Sequence, residues 1–247
     1  MVNRFVAEKT HNLIPHVISS LPEDGILLIN TIYFKADFSN KFDAELTGSS
    51  TFTLFNNQRI PIKLMSNEAF IRYYDTGTAQ VCLLNFRGYP AGMLLLLPHT
   101  PGEEALFSAV REVFSADGMA GVMSRMTKFE SVDLQMPKFH SEFEMDLEEE
   151  MKKEGVVDAT DITKGCALIG HSLIGEECYI DHVIHRTVLD VNEEGVEAAA
   201  ATVVDMGPML GACMPPPVPR PPPIPMHITR PFALALVTTN TNTASQL

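Results

Sequence analysis

Hydrophobic residues follow two patterns along this chain, unbroken runs and strict alternation. Ile26–Phe34 and Met93–Leu97 are nearly continuous apolar runs, which predict strands buried on both faces. Asn30 interrupts the first run, where a buried amide needs a hydrogen-bond partner. Alternating segments predict strands with one face in the core, and they span 51–65, 69–74, 131–139 and 179–191.

Helical spacing of apolar residues predicts helices in the remaining segments. Residues 3–20 suit two short helices divided by Pro15, with Asn3 as the N-terminal cap. Residues 103–114 and 119–126 suit two more, and a charged helix follows at 146–154 with Asp146 as its cap. Strands and helices are mixed without regular β-α-β alternation, so the sequence predicts an α+β fold.

Composition excludes several classes of function. The 247 residues contain 31 acidic and 18 basic residues, a formal net charge of −13, which argues against nucleic-acid and anionic-membrane partners. The longest purely apolar run is too short to span a bilayer. The first 20 residues lack the apolar block of a signal peptide, and no Asn-x-Ser/Thr sequon occurs, which favours the cytoplasm.

Candidate catalytic and metal motifs fail on their spacing. Gly170–Gly175 is one residue too long for a nucleophile elbow. The acidic segment beginning at Asp190 resembles a calcium loop, but its twelfth position is Ala201 instead of glutamate. His182 and His185 point to opposite faces of a strand, so we interpret each as a satisfied core histidine and expect no metal site and no cofactor.

An alanine-rich segment after residue 192 has an unusual parity. If 196–206 became a strand, Val196, Ala198 and Ala200 would share an uncharged face with Thr202. Both charged residues of the segment would lie on the opposite face. This parity favours the interpretation that the segment is a strand able to enter a sheet. The alternative, a surface loop that tolerates many sequences, remains open.

The same segment closely resembles the reactive-loop hinge of the serpins, a family of serine protease inhibitors. The hinge residues are Glu193, Glu194, Gly195, Val196, Glu197, Ala198, Ala199, Ala200, Ala201 and Thr202. Further resemblances cover essentially the whole chain: Leu28–Lys35 resembles the LVNAIYFKG strand, Met136–Phe139 the LPKF strand, Leu147–Gly155 the LKKLG helix, Ile184–Arg186 the VIHKA segment and Arg230–Phe232 the D-R/H-P-F strand.

The resemblance implies an incomplete serpin fold, with three β-sheets, surrounding helices and an exposed reactive-centre loop. We expect one domain over 1–247 and a loop over about 193–229, including the proline-rich 215–225. It further implies a monomeric inhibitor, not an enzyme, that acts as a suicide substrate and inserts its cleaved loop into the central sheet. Family members are commonly extracellular, so the compartment stays open.

Counting the usual hinge length from Glu193 places the scissile bond at Met209–Leu210. Methionine suits chymotrypsin-like or elastase-like proteases better than trypsin-like ones. The alternative Arg220 precedes a proline, which makes a poor substrate bond. Because proline cannot join a sheet interior, we expect the insertable segment to end by about Met214.

The resemblance also pairs Asn30 with His185 beneath the central sheet, where a hydrogen bond would satisfy the amide. Val196 and Phe38 replace the threonine and the tryptophan that are usual at their positions. The alternative functions are a non-inhibitory serpin-fold binding or chaperone-like protein, which is cleaved without insertion, and a non-functional truncated serpin.

Overall fold

The structure is a computed structural model that describes residues 1–18, 26–34, 36–161, 179–196 and 221–239. The chain divides into two compact units. The first unit comprises Met1–Phe34 and His140–Asp190, and the second comprises Lys35–Phe139 and Val191–Leu247.

Helices and strands are mixed along the chain without regular β-α-β alternation, as the sequence predicts. The helices are α1 (Val2–Lys9), α2 (Glu103–Phe114), α3 (Ala116–Arg125) and α4 (Glu148–Lys153), with a 3-10 turn at Ala44–Leu46. The strands are β1 (Ile26–Tyr33), β2 (Ala36–Asp37), β3 (Gly48–Thr53), β4 (Arg59–Asp75), β5 (Ala79–Asn85), β6 (Ala91–Pro98), β7 (Phe129–Asp146), β8 (Ile180–Val191), β9 (Gly195–Val196), β10 (Ile224–His227) and β11 (Ala233–Thr238).

The second unit is built on the long strand β4. It pairs antiparallel with β3, β5 and β7, and β6 continues the sheet between β5 and β11. The predicted bounds of the two strands 51–65 and 69–74 are wrong. A turn at 54–58 separates β3 from β4, and β4 then runs as one strand of 17 residues across the predicted break at 66–68. Strand β10 runs parallel to β7 with Pro225 inside it.

Helices α2 and α3 cover the apolar face of this sheet. Side chains of β5 and β6 such as Val81, Leu83 and Leu94 pack in one buried cluster with Leu106 and Val122 of the helices. Helix α2 has the predicted bounds, and α3 begins three residues earlier than predicted because the Ser115 hydroxyl caps it. In the described part of the chain, no helix has the length and apolar character needed to cross a membrane.

The first unit pairs β1 in parallel with β8. Val6 of α1, Ile14 and Val17 bury their side chains with Val188 of β8. The predicted second helix after Pro15 is absent from residues 11–18, and Asn3 does not cap α1. Its side-chain oxygen instead accepts hydrogen bonds from the backbone N–H groups of Val17 and Ile18.

Strand β1 is present, but its predicted burial on both faces is wrong. Leu28 and Ile32 are more than 40% exposed, and Asn30 between them is exposed as well. The opposite parity is better covered, since Ile29 packs against the cluster around Val188. The strand therefore has one covered face and one open face.

Candidate functional site

The predicted hinge begins at the junction of β8 and β9, inside the second unit. Val191 of β8 pairs with Val196, and β9 pairs antiparallel with β2. Asn192 and Gly195 exchange two backbone hydrogen bonds of 2.9 and 3.2 Å, which close a tight turn between the strands. Gly195 and Val196 of the hinge are therefore already part of a sheet.

Gly195 lies against the backbone of β2. Its φ is +150°, and a Cβ atom at this position would lie 2.3 Å from the carbonyl oxygen of Ala36. Only glycine combines this backbone angle with such an approach. Val196, the next residue, is fully buried, as the parity of the segment predicts for it.

The Glu193 side chain is held by two partners from other elements. One carboxylate oxygen is 2.8 Å from the Lys138 ammonium of β7, and the other accepts a hydrogen bond from the Thr47 hydroxyl at 2.9 Å. Burial by itself would raise the pKa of this carboxyl. The hydrogen bonds from Lys138, from the backbone and from Thr47 outweigh burial, so the pKa lies below its ordinary value.

The Glu194 side chain is held by Lys41. The Lys41 ammonium contacts the Glu194 carboxylate and lies 3.2 Å from an Asp37 carboxylate oxygen, so one lysine joins the hinge to β2. The hydrogen bond to Glu194 raises the pKa of Lys41 above its ordinary value. The backbone oxygen of Glu194 also accepts a hydrogen bond of 2.8 Å from the N–H of Phe38.

Phe38, which replaces the tryptophan expected by the resemblance, is completely buried beside the hinge. Its ring stacks on Phe86 with a centroid distance of 5.7 Å and meets Phe42 edge-on at 5.9 Å. The three phenylalanine rings thus pack around Phe38, the residue whose N–H binds the Glu194 carbonyl, and together they supply a large apolar area.

Asn30 and His185 are register partners in the parallel β1–β8 pair of the first unit. Asn30 is exposed, so its predicted burial is wrong. His185 is half-buried, and its Nε2 lies 3.2 Å from the Thr187 hydroxyl. The hydrogen bond between Asn30 and His185 remains a prediction.

His182 was expected to be a core histidine, and this expectation is wrong. It is exposed on β8, with its Nδ1 2.6 Å from an Asp146 carboxylate oxygen. The hydrogen bond to Asp146 raises the pKa of His182. This contact could not be predicted from local patterns because 36 residues separate the two partners.

Several predicted site residues lie outside the described part of the chain. They are Glu197, Ala198, Ala199, Ala200, Ala201, Thr202, Met209 and Leu210, together with the alternative Arg220. The described chain resumes at Pro221 and enters β10. The hinge contacts of Lys138, Thr47 and Lys41 could not be predicted from the sequence, since nothing in the local pattern of these residues connects them with the hinge.

Comparisons with known proteins agree on one family. A family model described as "Serpin (serine protease inhibitor)" matches residues 1–247. The bovine (Bos taurus) leukocyte elastase inhibitor is 31% identical over 212 residues, which are 81% of this chain and 54% of that protein. An uncharacterized serpin-like protein of Thermococcus kodakarensis is 30% identical over 206 residues, 83% of this chain and 46% of the relative.

Solved structures agree in fold. The thermophilic serpin tengpin in its native state superimposes with a TM-score of 0.77 at 24% identity, over 98% of this chain and 59% of that one. Human thyroxine-binding globulin, solved in complex with thyroxine, superimposes with a TM-score of 0.75 at 22% identity, over 96% of this chain and 59% of that one. These matches confirm the predicted α+β fold, and the chain spans about half the length of the curated relatives that it matches.

Proposed function

Because this chain belongs to the serpin family of serine protease inhibitors, we propose that it inhibits a chymotrypsin-like or elastase-like serine protease. In the proposed mechanism, the protease attacks Met209–Leu210 and forms an acyl-enzyme through its active-site serine. The loop that follows Val196 then enters the sheet as a strand. Strand entry carries the trapped protease away from the position in which it could complete hydrolysis.

The observation that carries this proposal is that the start of the hinge is already paired with neighbouring strands. Gly195 and Val196 already pair with β2 and with the end of β8. A strand that continues from Val196 starts with its register and its facing fixed, because a one-residue slip would turn every side chain to the other face. Extension of β9 then needs no new nucleation step.

The facing of Val196 supports the predicted parity. Val196 is buried, so Ala198 and Ala200 would face the same side in an extended β9. Ala199 and Glu197 would face the opposite side. Small residues on the inward face would let the strand enter a sheet with little steric demand, which explains the run of alanines better than helix propensity does.

The test combines protease capture with two matched hinge variants. The protein is mixed with chymotrypsin and, separately, with elastase, and a covalent complex that survives denaturant is sought by gel electrophoresis. Ala200→Arg places a long cation on the inward face, so it should abolish the complex while cleavage continues. Ala199→Arg places the same side chain on the outward face and should preserve the complex.

Cleaved protein together with fully active protease would contradict the inhibitory proposal and favour the serpin-fold binding protein that is cut without insertion. Equal effects of the two arginine variants would contradict the proposed facing of the strand. N-terminal sequencing of the released fragment should begin at Leu210. A fragment that begins at Pro221 would instead assign cleavage to Arg220.

A further inference from the structure

A cluster of metal-ligating side chains lies in the first unit. Asp146 ends β7, Glu148 begins α4 and His182 lies near the start of β8. One ligand atom from each of the three lies within 4.8 Å of the others. We propose that Asp146, Glu148 and His182 bind one divalent transition-metal ion, with Zn²⁺ as the ion that best suits these donors.

The backbone orients Asp146 for this role. Its Oδ1 accepts hydrogen bonds from the N–H groups of Glu148 at 3.1 Å and of Val183 at 3.2 Å. The N–H of Leu147 donates to the carbonyl of Val183 at 2.8 Å, which ties the end of β7 to β8. Oδ2 consequently points at the imidazole, and the carboxylate is positioned without help from a bound ion.

The donor set selects the class of metal. One imidazole nitrogen and two carboxylate oxygens suit Zn²⁺ and its neighbours, whereas Ca²⁺ and Mg²⁺ favour oxygen ligands alone. Asp146 and His182 are exposed, so an ion can enter and water can complete the coordination. Two such ligand atoms lie about 3.3 Å apart in a tetrahedral Zn²⁺ site. The 2.6 Å distance between His182 Nδ1 and Asp146 Oδ2 must therefore increase when the ion binds.

Two neighbouring charges modify the site. Lys152 holds one oxygen of Glu148 at 2.5 Å, so this lysine competes with a bound cation. Asp181 lies on the other side of the ring, with its Oδ2 3.6 Å from Nε2 of His182, and adds negative charge. Removal of the Lys152 charge should therefore tighten metal binding.

His140 provides a matched comparison in the same unit. Its Nε2 lies 3.1 Å from Glu142, and its Nδ1 lies 3.9 Å from Asp190. This group has the same three types of side chain, but its two acids lie at opposite nitrogens of the ring. The ring therefore separates the carboxylates, and the three donors do not converge on one ion.

The experiment is a calorimetric titration with Zn²⁺ under reducing conditions of the 247-residue protein that carries Cys166→Ser, Cys178→Ser and Cys213→Ser. One ion should bind per chain. Loss of an outer-shell partner of a metal ligand typically costs about 10–100-fold in affinity. Loss of a ligand itself should cost at least as much, so His182→Asn and Glu148→Gln should each weaken binding by about 10-fold or more. His140→Asn should leave the affinity unchanged, and Lys152→Gln should increase it.

Circular dichroism establishes that each variant is folded, and the exposure of His182 makes its replacement tolerable. Substitution with Co²⁺ adds a second measurement, since its visible absorption should change when the imidazole ligand is lost. Zinc binding that His182→Asn leaves unchanged would overturn the proposal, as would no binding with zinc in excess over the protein.

Discussion

Replacement of Gly195 by alanine should destabilise the protein more than the same change at other glycines with positive φ. A Cβ atom at Gly195 would lie 2.3 Å from the Ala36 carbonyl oxygen and 2.7 Å from both the Asp37 Cα and the Phe38 nitrogen. All three are backbone atoms, which cannot rotate away. Strand β9 must therefore move away from β2.

The expected magnitude follows from two contributions. The backbone angle costs about 1–3 kcal/mol for a residue other than glycine. Displacement of β9 also weakens the 2.8 Å hydrogen bond between the Phe38 N–H and the Glu194 carbonyl, worth about 1 kcal/mol. Together with lost packing of the buried Val196, we expect a decrease of roughly 3–4 kcal/mol in the free energy of unfolding.

Two control variants separate these contributions. Gly88 has a φ of +76° but open space around its Cβ position, so Gly88→Ala should lose only about 1–2 kcal/mol. Gly48 has open space and no positive φ, so Gly48→Ala should change stability by less than about 0.5 kcal/mol. Urea unfolding at equilibrium, with its reversibility checked, measures all three. If Gly195→Ala and Gly88→Ala lose the same stability, the close approach of β9 to β2 is refuted.

Three further predictions concern buried or paired groups. Burial raises the pKa of Cys82 to about 12. In a variant that keeps only this cysteine, the folded protein should therefore not react with a thiol reagent at pH 8, whereas the urea-unfolded protein should. Rapid labelling without urea would contradict the burial of Cys82. Glu193→Gln should lower stability by about 1–2 kcal/mol at pH 7. The folded pKa of Glu193 lies below its ordinary value of 4.5. The difference in stability between the wild type and Glu193→Gln should therefore be complete above pH 4.5 and vanish as the pH falls through the folded pKa. A difference that does not depend on pH would exclude the charged pair with Lys138. Lys41→Met should cost about 1–2 kcal/mol at low salt through its contact with Glu194, and the loss should shrink at high salt; equal losses would exclude an electrostatic origin.

Local signals in the sequence explain which elements were predicted well. Helix α2 has the predicted bounds because the apolar spacing of Leu106, Ala109 and Val113 and the glycine before it are all features of neighbouring residues. Strand β1 was recognised as a strand for the same reason. The burial of β1 was not predicted correctly, because Leu28 and Ile32 are exposed. An apolar run shows that a segment can be buried, but not which other segment covers it.

Contacts between distant segments could not be predicted. Glu193 and Lys138 are 55 residues apart, and neither belongs to a local pattern that indicates the other. The same holds for Asp146 and His182, which were considered separately, one as a helix cap and the other as a core side chain. Such pairs depend on how the strands are arranged, and the local pattern around each residue does not reveal that arrangement.

The hinge lies between these two cases. Its parity is a local property, so the sequence alone distinguishes the uncharged set that begins with Val196 from the charged set that includes Glu197. Which set faces inward is a property of the fold, and the burial of Val196 at β9 provides it for the first residue. Gly195 then explains why the turn occurs there, because no other residue could lie so close to Ala36. Only the positions of Gly195 and Val196 show which alanines would face inward in an extended β9. The effect of a hinge variant can therefore be interpreted only when the face on which the substituted residue lies is stated.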